Sequence, residues 1–224
     1  MEYDLTEIIT NIQNKEKISI SYIQRTFSFG FIEAGKVFNE LVEKGYADED
    51  GKVNKKKIDF DYIEGTKVIF LDVDGVLNCH STKDICCGYR GIEDEKVSYL
   101  KEIADATGAI IVLVSSWKEW WTANPKFKSS QDEMATYLDK KLANYGLIIR
   151  DKTLDGNSHR RGKGILRYIE TQKENGIEIK KFVILDDEMF DYLETKMTRH
   201  LVRTSFEQSG LEKKHVRKAI EKLC

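Results

Sequence analysis

The sequence predicts an α/β protein, a Rossmann-like parallel sheet of about five strands flanked by helices, preceded by a small winged-helix domain. Three observations predict it. From residue 67 onward, short apolar runs of β type alternate with segments of helical periodicity, as a parallel sheet covered on both faces requires. Upstream, apolar residues recur only at helical spacing. Between the two lies a polar stretch, residues 48–57, that reads Asp-Glu-Asp-Gly-Lys-Val-Asn-Lys-Lys-Lys. It places a boundary near residues 55–65 and domains over 1–60 and 65–224.

In the first domain, Leu5, Ile8, Ile9 and Ile12 mark one helix. Ser19 or Ser21 caps a second, which carries Ile20, Ile23 and Phe27. After a break at Gly30, Ala34, Val37, Phe38, Leu41 and Val42 mark a third helix that ends at Gly45. Tyr46-Ala47, an acidic turn and Lys52-Val53 complete a β-hairpin wing, which makes a winged helix-turn-helix. In the second domain, strands are expected at 67–71, 109–114, 147–149, 181–185 and 200–202. Helices are expected at 93–107, 131–145, 163–175 and 211–223.

The chain has 224 residues, 41% of them hydrophobic and 33% charged, with a net charge of −2. That composition excludes a disordered or collagenous chain, and the length buries a core without disulfide staples. No apolar run approaches the roughly 20 residues needed to span a bilayer, and Met1 to Thr10 has no basic signal-peptide region. A cytoplasmic protein without membrane contact is expected. Cys79, His80, Cys86 and Cys87 lie close together but fit no common zinc module, so reduced cysteines are the reading.

In a parallel sheet the site lies beyond the carboxyl ends of the strands. Asp72, Asp74 and Gly75 follow the first strand, Ser115 and Ser116 the second, Asp186 and Asp187 the fourth, and Lys163 opens a helix. Three or more carboxylates gathered at one rim repel by about 4 kcal/mol per pair at 4 Å and an effective dielectric near 20. They call for a cation, and all-oxygen ligands select a hard one, most simply Mg²⁺ bound by Asp72, Asp74 and Asp186 or Asp187. Such a site suits phosphoryl transfer. Asp72 attacks phosphorus to give an aspartyl-phosphate, and Asp74 protonates the leaving oxygen, then activates water. Ser115, with Ser116 behind it, and Lys163 bind the phosphate.

These segments resemble the haloacid dehalogenase (HAD) superfamily. Its four motifs appear in order as "VIFLDVDGVLN", "IIVLVSS", "RGKGILRYI" and "FVILDDE". "SSW", "RRGKGI" and "ILDDE" are similar to the small HAD domains of RNA-repair proteins, relatives of polynucleotide 3′-phosphatases. The resemblance implies the same roles for Asp72, Asp74, Ser115, Lys163 and the Asp186–Asp187 pair. One departure is Gly75-Val76, where many of these phosphatases carry Thr. The short segment 78–92 leaves no room for a lid domain, so an open site is expected. That favours bulky phosphate esters, with DNA or RNA ends as candidates.

Residues 18–48 resemble the C-terminal gamma domain of FtsK-type DNA translocases, through Ser19 or Ser21, Ile23, Gln24, Arg25, Phe27, Phe29, Gly30, Ala34 and the helix through Leu41. Residues 1–64 nevertheless hold nine Lys/Arg and thirteen Asp/Glu, a poor match to polyanionic DNA, so a protein-contact module is the competing reading. The different-class alternative for the whole chain is a DNA- or protein-binding regulator with a weakly active HAD domain. Trp117, Trp120 and Trp121 are read as core packing before base stacking, and Lys213, Lys214, Arg217 and Lys218 as a solvated face. His159, Arg160 and Arg161 read equally as a cationic phosphate-binding edge or a solvated loop.

Overall fold

The computed structural model describes residues 3, 5–12, 15–55, 58, 66–123, 127, 131–154, 160–175 and 177–224. The expected boundary at 55–65 falls mostly outside these residues, as do His159 and Pro125. The chain divides into two compact units, residues 1–64 with 174–177, and residues 65–173 with 178–224.

In the first unit the periodic segments form α1 (Leu5–Ile12), α2 (Ile20–Phe27) and α3 (Phe31–Glu43). Ser19, not Ser21, caps α2, its hydroxyl accepting the Tyr22 N–H at 3.1 Å. Ile12, Ile23, Val37 and Leu41 are buried in one apolar cluster, joined by Tyr46, Ala47 and Val53. Antiparallel bridges pair Ala47 with Val53 and Lys17 with Lys52.

The second unit is an α/β sandwich. Its strands are β1 (Lys67–Leu71), β4 (Ile110–Leu113), β5 (Ile149–Lys152), β6 (Lys181–Asp186) and β7 (Leu201–Arg203). They form one sheet in the order β5-β4-β1-β6-β7, every pair parallel. Its helices are α4 (Asp94–Thr107), α5 (Glu133–Ala143), α6 (Arg161–Glu174) and α7 (Lys213–Leu223). Alternation along each strand sends Ile69, Leu71, Ile111, Leu113, Val183 and Leu185 to one face. There they meet Leu100 and Ile103 of α4, Leu138 and Leu142 of α5, and Val216 and Ala219 of α7. On the other face Phe70 packs edge-on against Phe182 and against Tyr168 of α6. Both faces are covered, which is why the strands read as unbroken apolar runs. Among the described residues no helix is long and apolar enough to cross a membrane.

Two segments differ from expectation. The strand expected at 147–149 begins at Ile149 and runs to Lys152. The Leu147 N–H is committed to the Leu142 carbonyl at the end of α5, and Ile148 is exposed. The strand itself is polar because it is the sheet edge. The short segment 78–92, in which no strand was expected, contains a hairpin of β2 (Ile85–Cys86) and β3 (Tyr89–Arg90). Its turn residues, Cys87 at φ 51° and Gly88 at φ 83°, have the left-handed backbone that a two-residue hairpin turn needs.

Candidate active site

The register of the sheet assembles the site. Leu71 pairs with Leu185, so the next residues, Asp72 and Asp186, leave the sheet side by side. Carboxylate oxygens of Asp72, Asp186 and Asp187 come within 4.8 Å of one another, the one group of three metal-ligating side chains found among the described residues. Asp72 and Asp186 are buried and Asp187 half-buried. A cavity of about 710 Å³ opens beside them, lined by the buried Asp72 and Arg161, the half-buried Asp74, Asp187 and Arg90, and the exposed Tyr89 and Arg203.

Arg161 is the cation of this cluster. Its Nη1 lies 2.7 Å from Asp72 Oδ2 and 2.7 Å from Asp186 Oδ2, and its guanidinium stacks 4.1 Å over the Phe190 ring. Lys163 is exposed and does not line the cavity. The cation that the structure places at the carboxylates thus stands two residues before Lys163. At 100° per residue, positions 161 and 163 face opposite sides of α6. The signal was present: Arg161 is in phase with the buried Ile165, Tyr168 and Gln172, and Lys163 is not.

The phase of α6 is locked from outside it. Asp191 accepts the N–H groups of Gly162 at 2.6 Å and Lys163 at 3.1 Å, which satisfies donors that a helix start leaves free. Gly162 is needed for this approach, because a Cβ there would lie 2.4 Å from Thr195 Oγ1. Next to Asp191, the Tyr192 hydroxyl donates to Asp186 Oδ2 at 2.8 Å, while Asp186 Oδ1 accepts the Glu188 N–H at 3.0 Å. Both Asp186 oxygens thus have protein donors, and Asp187 is the member of the pair that faces the cavity. Burial and the nearby Asp72 charge push the Asp187 carboxyl up to about 6, and push Asp186 up as well.

Asp74 stands apart from the three clustered carboxylates. Asn78 Nδ2 donates to its Oδ1 at 2.9 Å and Trp117 Nε1 to its Oδ2 at 2.9 Å. It still lines the cavity, and burial raises its pKa above the usual carboxylate range. A half-buried carboxyl held in place by two donors beside the clustered carboxylates is positioned for proton transfer in the cavity. Gly75 follows at φ +74°, where a Cβ would fall 2.3 Å from Asp187 Cγ. The glycine thus lets the loop after β1 lie against the loop after β6.

The two serines are not brought to the cavity. Ser115 is fully buried, its hydroxyl accepting the Trp117 N–H at 3.4 Å to cap the 3-10 turn Ser116–Glu119. Ser116 is half-buried and likewise absent from the lining. The Ser115 hydroxyl is drawn to the turn, and the turn delivers Trp117. Trp117 and Trp121 are buried, with Trp121 Nε1 on Asp139 Oδ1 at 2.8 Å, so neither offers a face to a base. The cysteines are free thiols, with the Sγ atoms of Cys86 and Cys87 3.6 Å apart. Lys213, Lys214, Arg217 and Lys218 are exposed on α7. Sequence reasoning missed Asn78 and Tyr192, which act on carboxylates four and six residues away, and Asp191 and Arg203, whose contacts are distant in the chain.

The family model described as the HAD domain in Swiss Army Knife RNA repair proteins matches residues 68–216. No curated protein and no solved structure matches the chain.

Proposed function

The chain belongs to this HAD domain family, whose members are generally phosphatase-type hydrolases, and from that premise we propose that it is a Mg²⁺-dependent phosphomonoesterase acting through Asp72. The observation that carries the reading is the juxtaposition of Asp72, Asp187 and Arg161 on the floor of an open cavity with Asp74 at its side.

The donor set fits a hard divalent ion: three carboxylates within 4.8 Å, with one Arg161 to offset them, leave uncompensated negative charge. Asp72, Asp187 and Asp186 would hold that ion, which when bound neutralises the substrate phosphate and favours nucleophilic approach. A carboxylate oxygen of Asp72 forms a bond to phosphorus as the bond to the ester oxygen breaks. Asp74 gives its proton to that leaving oxygen. Asp74, now a carboxylate, takes a proton from water, and the hydroxide attacks the aspartyl-phosphate to release inorganic phosphate and restore Asp72. Arg161 spreads positive charge toward the phosphoryl oxygens and keeps the Asp72 side chain oriented.

Hydrolysis of an aryl phosphate, measured with and without Mg²⁺ for the wild type and Asp72→Asn, tests this. Turnover that needs both the metal and Asp72 is expected. Absence of Mg²⁺-dependent turnover moves the reading to a regulator with an inactive HAD domain. The open mouth and the family's RNA-repair context favour phosphorylated nucleic-acid ends as substrates, to be compared with nucleotides and sugar phosphates.

For the first unit we infer a winged-helix module, with α2 and α3 as the helix-turn-helix and the Ala47–Val53 bridge as the base of the wing. Its acidic balance and the exposed Phe31 and Ile32 at the head of α3 favour a protein partner over duplex DNA. A salt-dependent mobility shift of the full chain on duplex DNA would favour the DNA reading instead.

A further inference from the structure

The chemistry uses the floor of the cavity and leaves its mouth without a role. A phosphoryl group fills the space of a few water molecules, about 100 Å³. The cavity holds about 710 Å³, so most of it faces the rest of the substrate. One wall of that space is the β2–β3 hairpin with Tyr89 and Arg90. The other is the segment after β6 and β7, with Arg203 and Phe206.

Three features of these walls point to a ligand. Tyr89 is 59% exposed, an aromatic ring left in water at the mouth of the site. Arg90 and Arg203 are each fixed by a neutral backbone acceptor: Arg90 Nη1 donates to the Thr82 carbonyl at 2.8 Å, and Arg203 Nε to the Asp187 carbonyl at 2.9 Å. Among the described residues neither guanidinium is paired with a carboxylate, so their charges remain available to a bound anion. Glu188 and Glu207 also line the mouth, so it has no net excess of positive charge. Anion binding there depends on the placing of two guanidiniums and not on a basic field.

Resting on the phosphatase reading of the same cavity, we infer that Tyr89, Arg90 and Arg203 form a leaving-group subsite for a single-stranded polynucleotide end. Tyr89 stacks on the terminal base, and the two arginines hold the first phosphodiester beyond the scissile monoester. A sugar phosphate or an aryl phosphate offers no second phosphate, and a mononucleotide offers only the base. The subsite therefore separates an oligonucleotide end from these smaller esters.

Steady-state kinetics on p-nitrophenyl phosphate, a nucleoside 3′-monophosphate and trinucleotides phosphorylated at the 3′ or the 5′ end test this in the full chain with Mg²⁺. For the wild type, kcat/KM on at least one trinucleotide should exceed that on the mononucleotide by about tenfold or more. In Tyr89→Ala the ratio of trinucleotide to p-nitrophenyl phosphate should fall about 5- to 150-fold, the span seen when a stacking ring is removed. Tyr89→Phe, which keeps the ring, should retain the ratio, and Arg203→Ala should lower it while reducing the salt dependence of KM. A ratio unmoved in both Tyr89→Ala and Arg203→Ala overturns the subsite. Equal rates on trinucleotide and mononucleotide, or a phosphopeptide turned over faster than either, also overturn it and leave the phosphatase intact. No Mg²⁺-dependent turnover of any of these esters overturns the phosphatase reading and the subsite with it.

Discussion

The carboxylate of Asp191 accepts the Gly162 N–H at 2.6 Å, and this contact sets which residue of α6 points at the clustered carboxylates. Asp191→Ala should lower kcat/KM on an aryl phosphate by about 10- to 100-fold, the range found when an orienting partner of a site residue is lost. Loss of the helix cap should cost about 1 kcal/mol of stability by urea unfolding. Asp191→Asn, which keeps one acceptor, should recover part of both.

Arg161 lies between two buried acids. Arg161→Met should destabilise the protein by about 3–5 kcal/mol in the absence of metal, because Asp72 and Asp186 lose their shared cation. Arg161→Lys should be milder in stability yet still impaired in kcat, since one ammonium lacks the planar donors of the guanidinium. Urea titrations beside steady-state kinetics check both.

The carboxylate cluster should make Mg²⁺ a stabilising ligand. At about 100 times its Kd, Mg²⁺ should add about 2.7 kcal/mol. For a domain of this size that raises Tm by roughly 5–10 °C. Asp187→Asn should remove most of the shift. A melting temperature unresponsive to Mg²⁺ in the wild type would count against a metal in this cluster.

Gly75→Ala should be damaging although the side chain is small. The left-handed backbone and the approach of Asp187 together cost about 1–3 kcal/mol, and Asp187 must move to accommodate the methyl group. A weaker Mg²⁺ response in thermal melts should accompany the loss.

Stability should carry a pH dependence from His215. Its Nδ1 accepts the Glu212 N–H at 3.0 Å at the start of α7, and burial, aided by Lys214, lowers its pKa. The unfolded chain, with a histidine pKa near 6.5, takes up a proton first as pH falls, so the contribution is present above about pH 6.5 and is lost toward the lower folded-state value. The difference in unfolding free energy between wild type and His215→Gln should shrink from about pH 7.5 to about pH 5.

Much of this site was readable from sequence because its chemistry sits at strand ends. Five apolar runs announced the five strands, and the carboxylates at the ends of two of them are Asp72 and Asp74, Asp186 and Asp187, with Asp72, Asp74 and Asp187 lining the cavity. What could not be read was rotation and pairing. Arg161 and Lys163 are adjacent cations on one helix start, and the choice between them depends on a carboxylate 29 residues from Gly162. Ser115 stood at the expected strand end, but its hydroxyl was claimed by the turn that follows. The hairpin carried no alternating pattern, since its strands are two residues long.

Asn78 binds Asp74 Oδ1 through its amide nitrogen, and the same nitrogen reaches the Arg90 carbonyl at 3.2 Å. One carboxamide therefore spans the proton donor and the strand beside the incoming chain. A leaving group that displaces that strand tugs on the very hydrogen bond that steadies the acid. Under the proposed mechanism, recognition at the hairpin and proton delivery by Asp74 are therefore linked through Asn78, and a new preference at the hairpin would carry a change in turnover with it.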